Sequence, residues 1–269
     1  MIVEGETSKV TLANFAKSGD ALVFSEATPP YTDPATKKVQ GRVTATIIKD
    51  DTCEQCADLS PILTSLQQLG IVIVSEDELD RSTAKGKALI EKYDIKVLPT
   101  LLFSKDLESY GNEITTNWFQ VGTVENDGTY ITRTSNPPFI NLTTNKVQGL
   151  VTMIKLLDKS CVDCYDPNDF HKPILERMGV VFEQEKSVDI SSAQGKDLIA
   201  KYKIDQVPTI LLTGDVETYP VLVRAWQTVG TKETDGTYIF RKVEVARQTY
   251  KDLTTNKVVT PPKPTTTGK

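Results

Sequence analysis

The sequence predicts an α/β chain of two tandem domains, and two observations carry that prediction. The octapeptide Asp50–Ala57, DDTCEQCA, returns 108 residues later as Asp158–Tyr165, DKSCVDCY, with Cys53 and Cys56 matched by Cys161 and Cys164. In both places the order of patterns is the same: a β-branched or apolar run, a C-x-x-C, then a leucine-bearing stretch. That order reads strand, dithiol loop, helix.

The first apolar run is Val43–Ile48 and its counterpart is Val151–Leu157. After each C-x-x-C the leucine-bearing stretch begins at a proline, Pro61 in the first copy and Pro173 in the second. Ile71–Val74 and Val180–Phe182 read as short buried strands. Thr83 or Ser82 then caps a helix over 84–93, and Ser192 opens its counterpart to Tyr202. The next strands are Val97–Phe103 and Val207–Leu212, with Pro99 and Pro208 at their entries, where a missing N–H is tolerated. Tyr219–Val229 carries an apolar stripe that fits a helix, whereas its counterpart, with Gly111 and Thr115–Thr116, is a poorer helix former. Thr129–Thr132 and Thr237–Phe240 follow Asp-Gly turns and read as strands. Trp118 and Trp226 are expected in the cores or at the repeat junction.

A third repeated piece lies outside these cores. Pro29-Pro-Tyr31 through Gly41 matches Pro137-Pro-Phe139 through Gly149, and Leu142-Thr-Thr-Asn-Lys-Val147 returns as Leu253-Thr-Thr-Asn-Lys-Val258. Two cores and three β-rich tails are therefore expected. Residues 1–40 form a partial repeat tail or N-terminal cap, 41–146 the first domain and 147–259 the second. Residues 260–269, rich in Pro and Thr, form a disordered linker. A chain that opens inside a repeat is expected to be part of a longer, membrane-tethered or multi-repeat protein.

With 269 residues, net charge −5 and no basic block, nucleic acid and anionic membrane are poor partners. One histidine, His171, leaves little room for histidine-based chemistry; it is expected on a solvated helix face. All four cysteines belong to the two motifs, which suits an oxidising, extracytoplasmic compartment better than the cytoplasm.

The segments Glu91–Phe103, EKYDIKVLPTLLF, and Ala200–Leu212, AKYKIDQVPTILL, resemble the K-Y-x-I-x-x-x-P-T-L-L segment of the thioredoxin family. Combined with C-x-x-C at matching distance, twice over, the resemblance covers about 43–104 and 151–213. It implies two thioredoxin-like domains, each a mixed central sheet flanked by helices, and cis peptides at Leu98–Pro99 and Val207–Pro208. Pro61 takes the place of the kink proline in the family's active-site helix, and Asp166-Pro167 is expected to end that helix early in the second copy. Thr52 and Ser160 stand where the family has an aromatic, and Ile47 and Lys155 stand where it has a buried acid.

The activity implied is thiol–disulfide exchange with protein thiols and disulfides, without an organic cofactor, regenerated by a separate redox partner. Cys53 and Cys161 would attack from helix N-termini, where unpaired N–H groups and the macrodipole favour thiolate, and Cys56 and Cys164 would resolve. Leu98, Pro99, Val207 and Pro208 would present backbone to an extended substrate. Asp50, Asp51, Glu54 and Asp58, and in the second copy Asp158, Asp163 and Asp166, would oppose thiolate formation. A single zinc held by all four sulfurs requires the two motifs to converge, so no metal is expected. The other reading of the same residues is a non-catalytic binding or structural array whose cysteines form static disulfides.

Overall fold

In the computed structural model, residues 2–4, 15–18, 21–24, 28–33, 35–111 and 117–261 are described. Of the tail expected to be disordered, 260–269, the part from 262 onward lies outside them, as does the segment 112–116. The chain divides into two compact units, residues 1–52 with 58–135, and residues 53–57 with 136–269.

In the first unit, β1 (Ile2–Glu4), β2 (Phe15–Ser18) and β3 (Ala21–Phe24) form an antiparallel sheet in the order β1-β3-β2. A hairpin of β4 (Tyr31–Thr32) and β5 (Val39–Gln40) follows. The core then runs β6 (Val43–Lys49), α1 (Ser60–Gln68), β7 (Ile73–Asp80), α2 (Ala84–Lys92), β8 (Val97–Leu98), β9 (Thr100–Phe103), β10 (Gly122–Val124) and β11 (Tyr130–Thr132). Its five-stranded sheet has the order β10-β11-β9-β6-β7. β6 and β7 are parallel, and the other neighbours are antiparallel. Every inward side chain of β6 is buried, as are all four residues of β9. Central strands covered on both faces need such continuous apolar runs.

The second unit opens with the hairpin of β12 (Phe139–Asn141) and β13 (Lys146–Gln148). It continues through β14 (Leu150–Leu157), α3 (Pro167–Arg177), β15 (Val181–Asp189), α4 (Ala193–Tyr202), β16 (Gln206–Val207), β17 (Thr209–Gly214), α5 (Pro220–Val229), β18 (Gly230–Lys232) and β19 (Tyr238–Phe240). A second hairpin, β20 (Tyr250–Asp252) and β21 (Lys257–Val259), ends it. Sheet order is β15-β14-β17-β19-β18, again with one parallel pair, β14 with β15. Val151, Met153, Ile210 and Leu212 are fully buried and pack with Leu222 and Trp226 of α5. Each such side chain contributes on the order of 1.5–3 kcal/mol. Each unit is thus a mixed sheet flanked by helices, the arrangement expected from the sequence.

Three sequence expectations are corrected. The Pro-containing helices begin later than the cysteines. Pro61 sits in the first turn of α1, and Asp58 accepts the Ser60 N–H at 2.9 Å. A proline is favoured there because its absent N–H would be unpaired anyway. Asp166-Pro167 starts α3 instead of ending a helix: the Asp166 carboxylate caps Asn168 N–H at 2.8 Å. The proline inside that helix is Pro173. β7 and β15 are also far longer than the apolar runs that announced them. Their outer residues are charged and exposed, so no hydrophobic period marks them; pairing along β6 and β14 extends them.

Candidate functional site

Each C-x-x-C lies in the loop after the strand that pairs in parallel with the sheet's edge, β6 or β14, and each pair is closed as a disulfide, Cys53–Cys56 at 2.10 Å and Cys161–Cys164 at 2.03 Å. Cys53, Cys56, Cys161 and Cys164 are all half-buried. Neither pair sits on a helix terminus, because α1 starts at Ser60 and α3 at Pro167. This corrects the expected thiolate stabilisation: partial charges at a helix end act only within the first turn. Among the described residues no cluster of His, Cys, Asp and Glu is arranged to hold a metal ion.

Two of the carboxylates that the sequence set against the thiols, Asp158 and Asp50, are committed elsewhere. Asp158, three residues before Cys161, accepts the Ser160 N–H at 2.8 Å and hydroxyl at 2.6 Å on one oxygen. Its other oxygen meets Lys251 Nζ at 2.5 Å. Burial alone would raise its pKa, yet the bonds from Lys251 and Ser160 outweigh burial and hold it below the usual range. Asp50 repeats this device. Its carboxylate accepts from Thr52 N–H and hydroxyl and pairs with Arg81 Nε at 2.5 Å. A second acid braces each loop from the end of the neighbouring strand. Asp189 accepts the Lys159 N–H and Asp80 the Asp51 N–H, both at 2.8 Å. Bonds from Asp51 and then Ser82 bring Asp80 down to about 2. All four acids shape the loops, and Asp50 and Asp158 are paired with a cation in doing so.

The second site lies wholly in one unit, and its interior wall is aromatic. Tyr165, next to Cys164, donates its hydroxyl to the Pro208 carbonyl at 2.9 Å. The same hydroxyl lies 2.8 Å from His171 Nε2. A phenol has one proton, so when Tyr165 donates to Pro208 the imidazole carries its proton on Nε2 and donates to the phenol oxygen. The dithiol loop is thereby tied to the start of β17 through one side chain. The Val207–Pro208 and Leu98–Pro99 peptides are cis.

His171 is 4% exposed, a correction to the solvated position read from sequence. Its ring packs on Phe240 with centroids 4.5 Å apart and on Phe170 at 5.0 Å. It also borders an apolar cavity of about 190 Å3 together with Leu175, Ile210 and Trp226. Burial pushes its pKa down to about 4, and burial likewise raises the phenol of Tyr165 far above its ordinary value.

Lys155, in the place of the family's buried acid, is 6% exposed and donates to Asn168 Oδ1 at 2.7 Å. Glu185 Oε2 lies 3.3 Å away, and the same carboxylate pairs with Lys172 of α3. A buried cation with an amide and a carboxylate braces α3 against β14 and β15. The lysine at this position is visible in the sequence, but its partners come from other elements and are not.

No family model matches this sequence, and no curated protein matches it. Among solved structures, the alkylhydroperoxide reductase component AhpF of Enterococcus faecalis is similar at 15% identity. The match covers 65% of this chain and 83% of that one, with a TM-score of 0.19. The N-terminal N/C domain of the same protein matches at 15% over 68% of this chain and 90% of its own, TM-score 0.19. Full-length ERdj5 matches at 8% identity over 64% of this chain and 25% of its own, TM-score 0.19.

Proposed function

We propose that the chain is a thiol–disulfide oxidoreductase acting on protein thiols through Cys161–Cys164 and Cys53–Cys56. The observation that carries the reading is that each C-x-x-C is a disulfide between half-buried cysteines, in the loop after β6 or β14 of a mixed, helix-flanked sheet. Such sulfurs are close enough to exchange and open enough to be attacked.

Starting from the reduced form, Cys161 thiolate attacks one sulfur of a substrate disulfide. A new S–S bond forms, the substrate's S–S bond breaks, and one substrate sulfur leaves as thiolate. Cys164, losing its proton to solvent, attacks Cys161 Sγ, closes the 161–164 disulfide and releases the second substrate thiol. Two electrons pass from the dithiol to the substrate, and an external dithiol reductant must return them. Cys53 and Cys56 take the same roles in the first copy. Backbone at Leu98–Pro99 and Val207–Pro208 is assigned to the substrate side of the exchange. The use of every cysteine in a disulfide supports an extracytoplasmic setting.

A second reading, thioredoxin-like repeats with static disulfides in a binding or structural array, is favoured by one observation: β16 is already paired with a strand of its own chain. Trapping separates the two. With Cys164→Ser, a protein disulfide substrate should accumulate as a mixed disulfide on Cys161, visible as a dithiothreitol-sensitive adduct. No adduct at either Cys161 or, in Cys56→Ser, at Cys53 would leave the structural reading.

A further inference from the structure

The loop of the second site faces a strand that is already occupied. β20 runs antiparallel to β16, Gln206 opposite Asp252 and Val207 opposite Lys251. One step on, Leu253 N–H donates to the Asp205 carbonyl at 2.7 Å. Bonded and non-bonded pairs alternate along an antiparallel ladder, so Val207 and Lys251 fall in the bonded register. Backbone at the residue before Pro208 is therefore spent on this hairpin.

Two further contacts place the hairpin on the disulfide side of β16. Tyr165 N–H, directly after Cys164, donates to the Thr249 carbonyl at 3.0 Å. Lys251 Nζ reaches Asp158 Oδ2 at 2.5 Å, with their side chains only 16% and 6% exposed. Thr249–Lys251 thus spans from the dithiol loop to β16, in the extended conformation that a bound peptide would take. Asp158, Ser160 and Lys251 also line an open cleft of about 750 Å3 on the same side.

We infer that the β20–β21 hairpin is a built-in strap that occupies the substrate strand's place beside Cys161–Cys164, so that an extended protein substrate must displace it. The inference rests on the oxidoreductase reading above. A strap of this kind restricts partners that need strand pairing and spares small disulfides that need only the sulfurs. It thereby ties the exposure of the second site to the state of its own tail. Lys251 is the natural release point, because it contributes both a ladder position and the ion pair to Asp158.

The test uses the full chain carrying Cys53→Ser and Cys56→Ser, so that only the second site reacts. Lys251→Pro removes the ladder N–H, and Lys251→Met removes the ion pair; Lys251→Arg keeps both. For the proline and methionine variants, kcat/KM with insulin should rise tenfold or more. Exchange with glutathione disulfide should change less than about threefold, and the Val207 amide should lose hydrogen-exchange protection. A synthetic peptide of residues 247–260 added to Lys251→Pro should restore inhibition with insulin, which an unfolded variant would not show. An unchanged insulin rate despite lost Val207 protection overturns the strap while leaving the oxidoreductase reading intact. No exchange even with glutathione disulfide, in any variant, removes that reading and the strap with it.

Discussion

Acidification from about pH 7.5 to about pH 5 should destabilise the second unit by about 2 kcal/mol through His171 alone. The imidazole's pKa falls from 6.5 to about 4 because it is buried among Tyr165, Phe170 and Phe240. The unfolded chain binds a proton below 6.5 that the folded unit refuses until about 4. Stability from this residue is thus fully present above 6.5 and is lost as pH falls between those values. Complete titration is worth roughly 3 kcal/mol at about 1.36 kcal/mol per pKa unit, and most of it is gone by about pH 5. The comparison is with His171→Phe, which keeps an aromatic ring against Phe240 and cannot titrate. His171 is the only histidine, so carboxylate titrations common to both proteins cancel in the difference. Urea unfolding should be followed by Trp226 in a Trp118→Phe background, since the two tryptophans report on different units. The parent-minus-variant stability should fall steeply between about pH 6.5 and about pH 5. A difference independent of pH, or an imidazole NMR titration centred near the ordinary histidine value, would refute the burial argument.

Other outcomes follow from the same geometry. With both dithiol loops off the helix termini and α1 starting at Ser60, reduced Cys53 should titrate near an ordinary thiol, above about 7. A reduction potential nearer about −270 than about −120 mV should go with it; pH-dependent alkylation and a dithiothreitol redox titration of a Cys161→Ser/Cys164→Ser chain measure both. Trp226→Ala should cost about 3–5 kcal/mol in urea unfolding, since the indole is 4% exposed between Tyr238 and Phe240. Lys155→Met should change stability by less than about 1.5 kcal/mol, because Glu185 keeps Lys172 as a partner when the buried cation is removed. Gly149→Ala should destabilise by more than about 1 kcal/mol in the same assay. Its φ is +98° and a Cβ would stand 2.3 Å from Pro137 Cβ, so both the backbone and the space oppose it.

Much of this fold was legible because local chemistry and tertiary placement agree. Thr83 and Ser192 cap α2 and α4 by accepting from Gly86 and Gly195, as hydroxyl residues before a helical pattern should. Trp118 and Trp226 are buried, and the apolar stripe from Tyr219 is the helix α5. The starts of α1 and α3 carried a readable signal in Asp58-Leu-Ser-Pro61 and Asp166-Pro167, where an acid precedes a first-turn proline. The family pattern, with a helix beginning at the cysteines, competes with that local signal, and the local signal wins. Other features had no local signal. The outer lengths of β7 and β15 are set by pairing with β6 and β14 and not by their own exposed, charged residues. His171 is buried by Tyr165, Phe170 and Phe240, two of them its near neighbours in sequence, but only the fold brings Phe240 over the ring. The charges around Asp50 and Asp158 read as repulsive in sequence because their partners, Arg81 and Lys251, lie 31 and 93 residues further along. The pairing of the β20 tail with β16 is likewise non-local, and it recasts Val207 from a free substrate contact into an occupied one.

The central claim, that these dithiols exchange with protein disulfides, is most directly tested by insulin reduction with dithiothreitol as electron donor. The complete chain should accelerate turnover above the uncatalysed rate, and a Cys53→Ser/Cys161→Ser double variant should abolish the acceleration. An intact chain whose four cysteines are shown to be reduced, yet which adds nothing to the uncatalysed rate, would contradict the account.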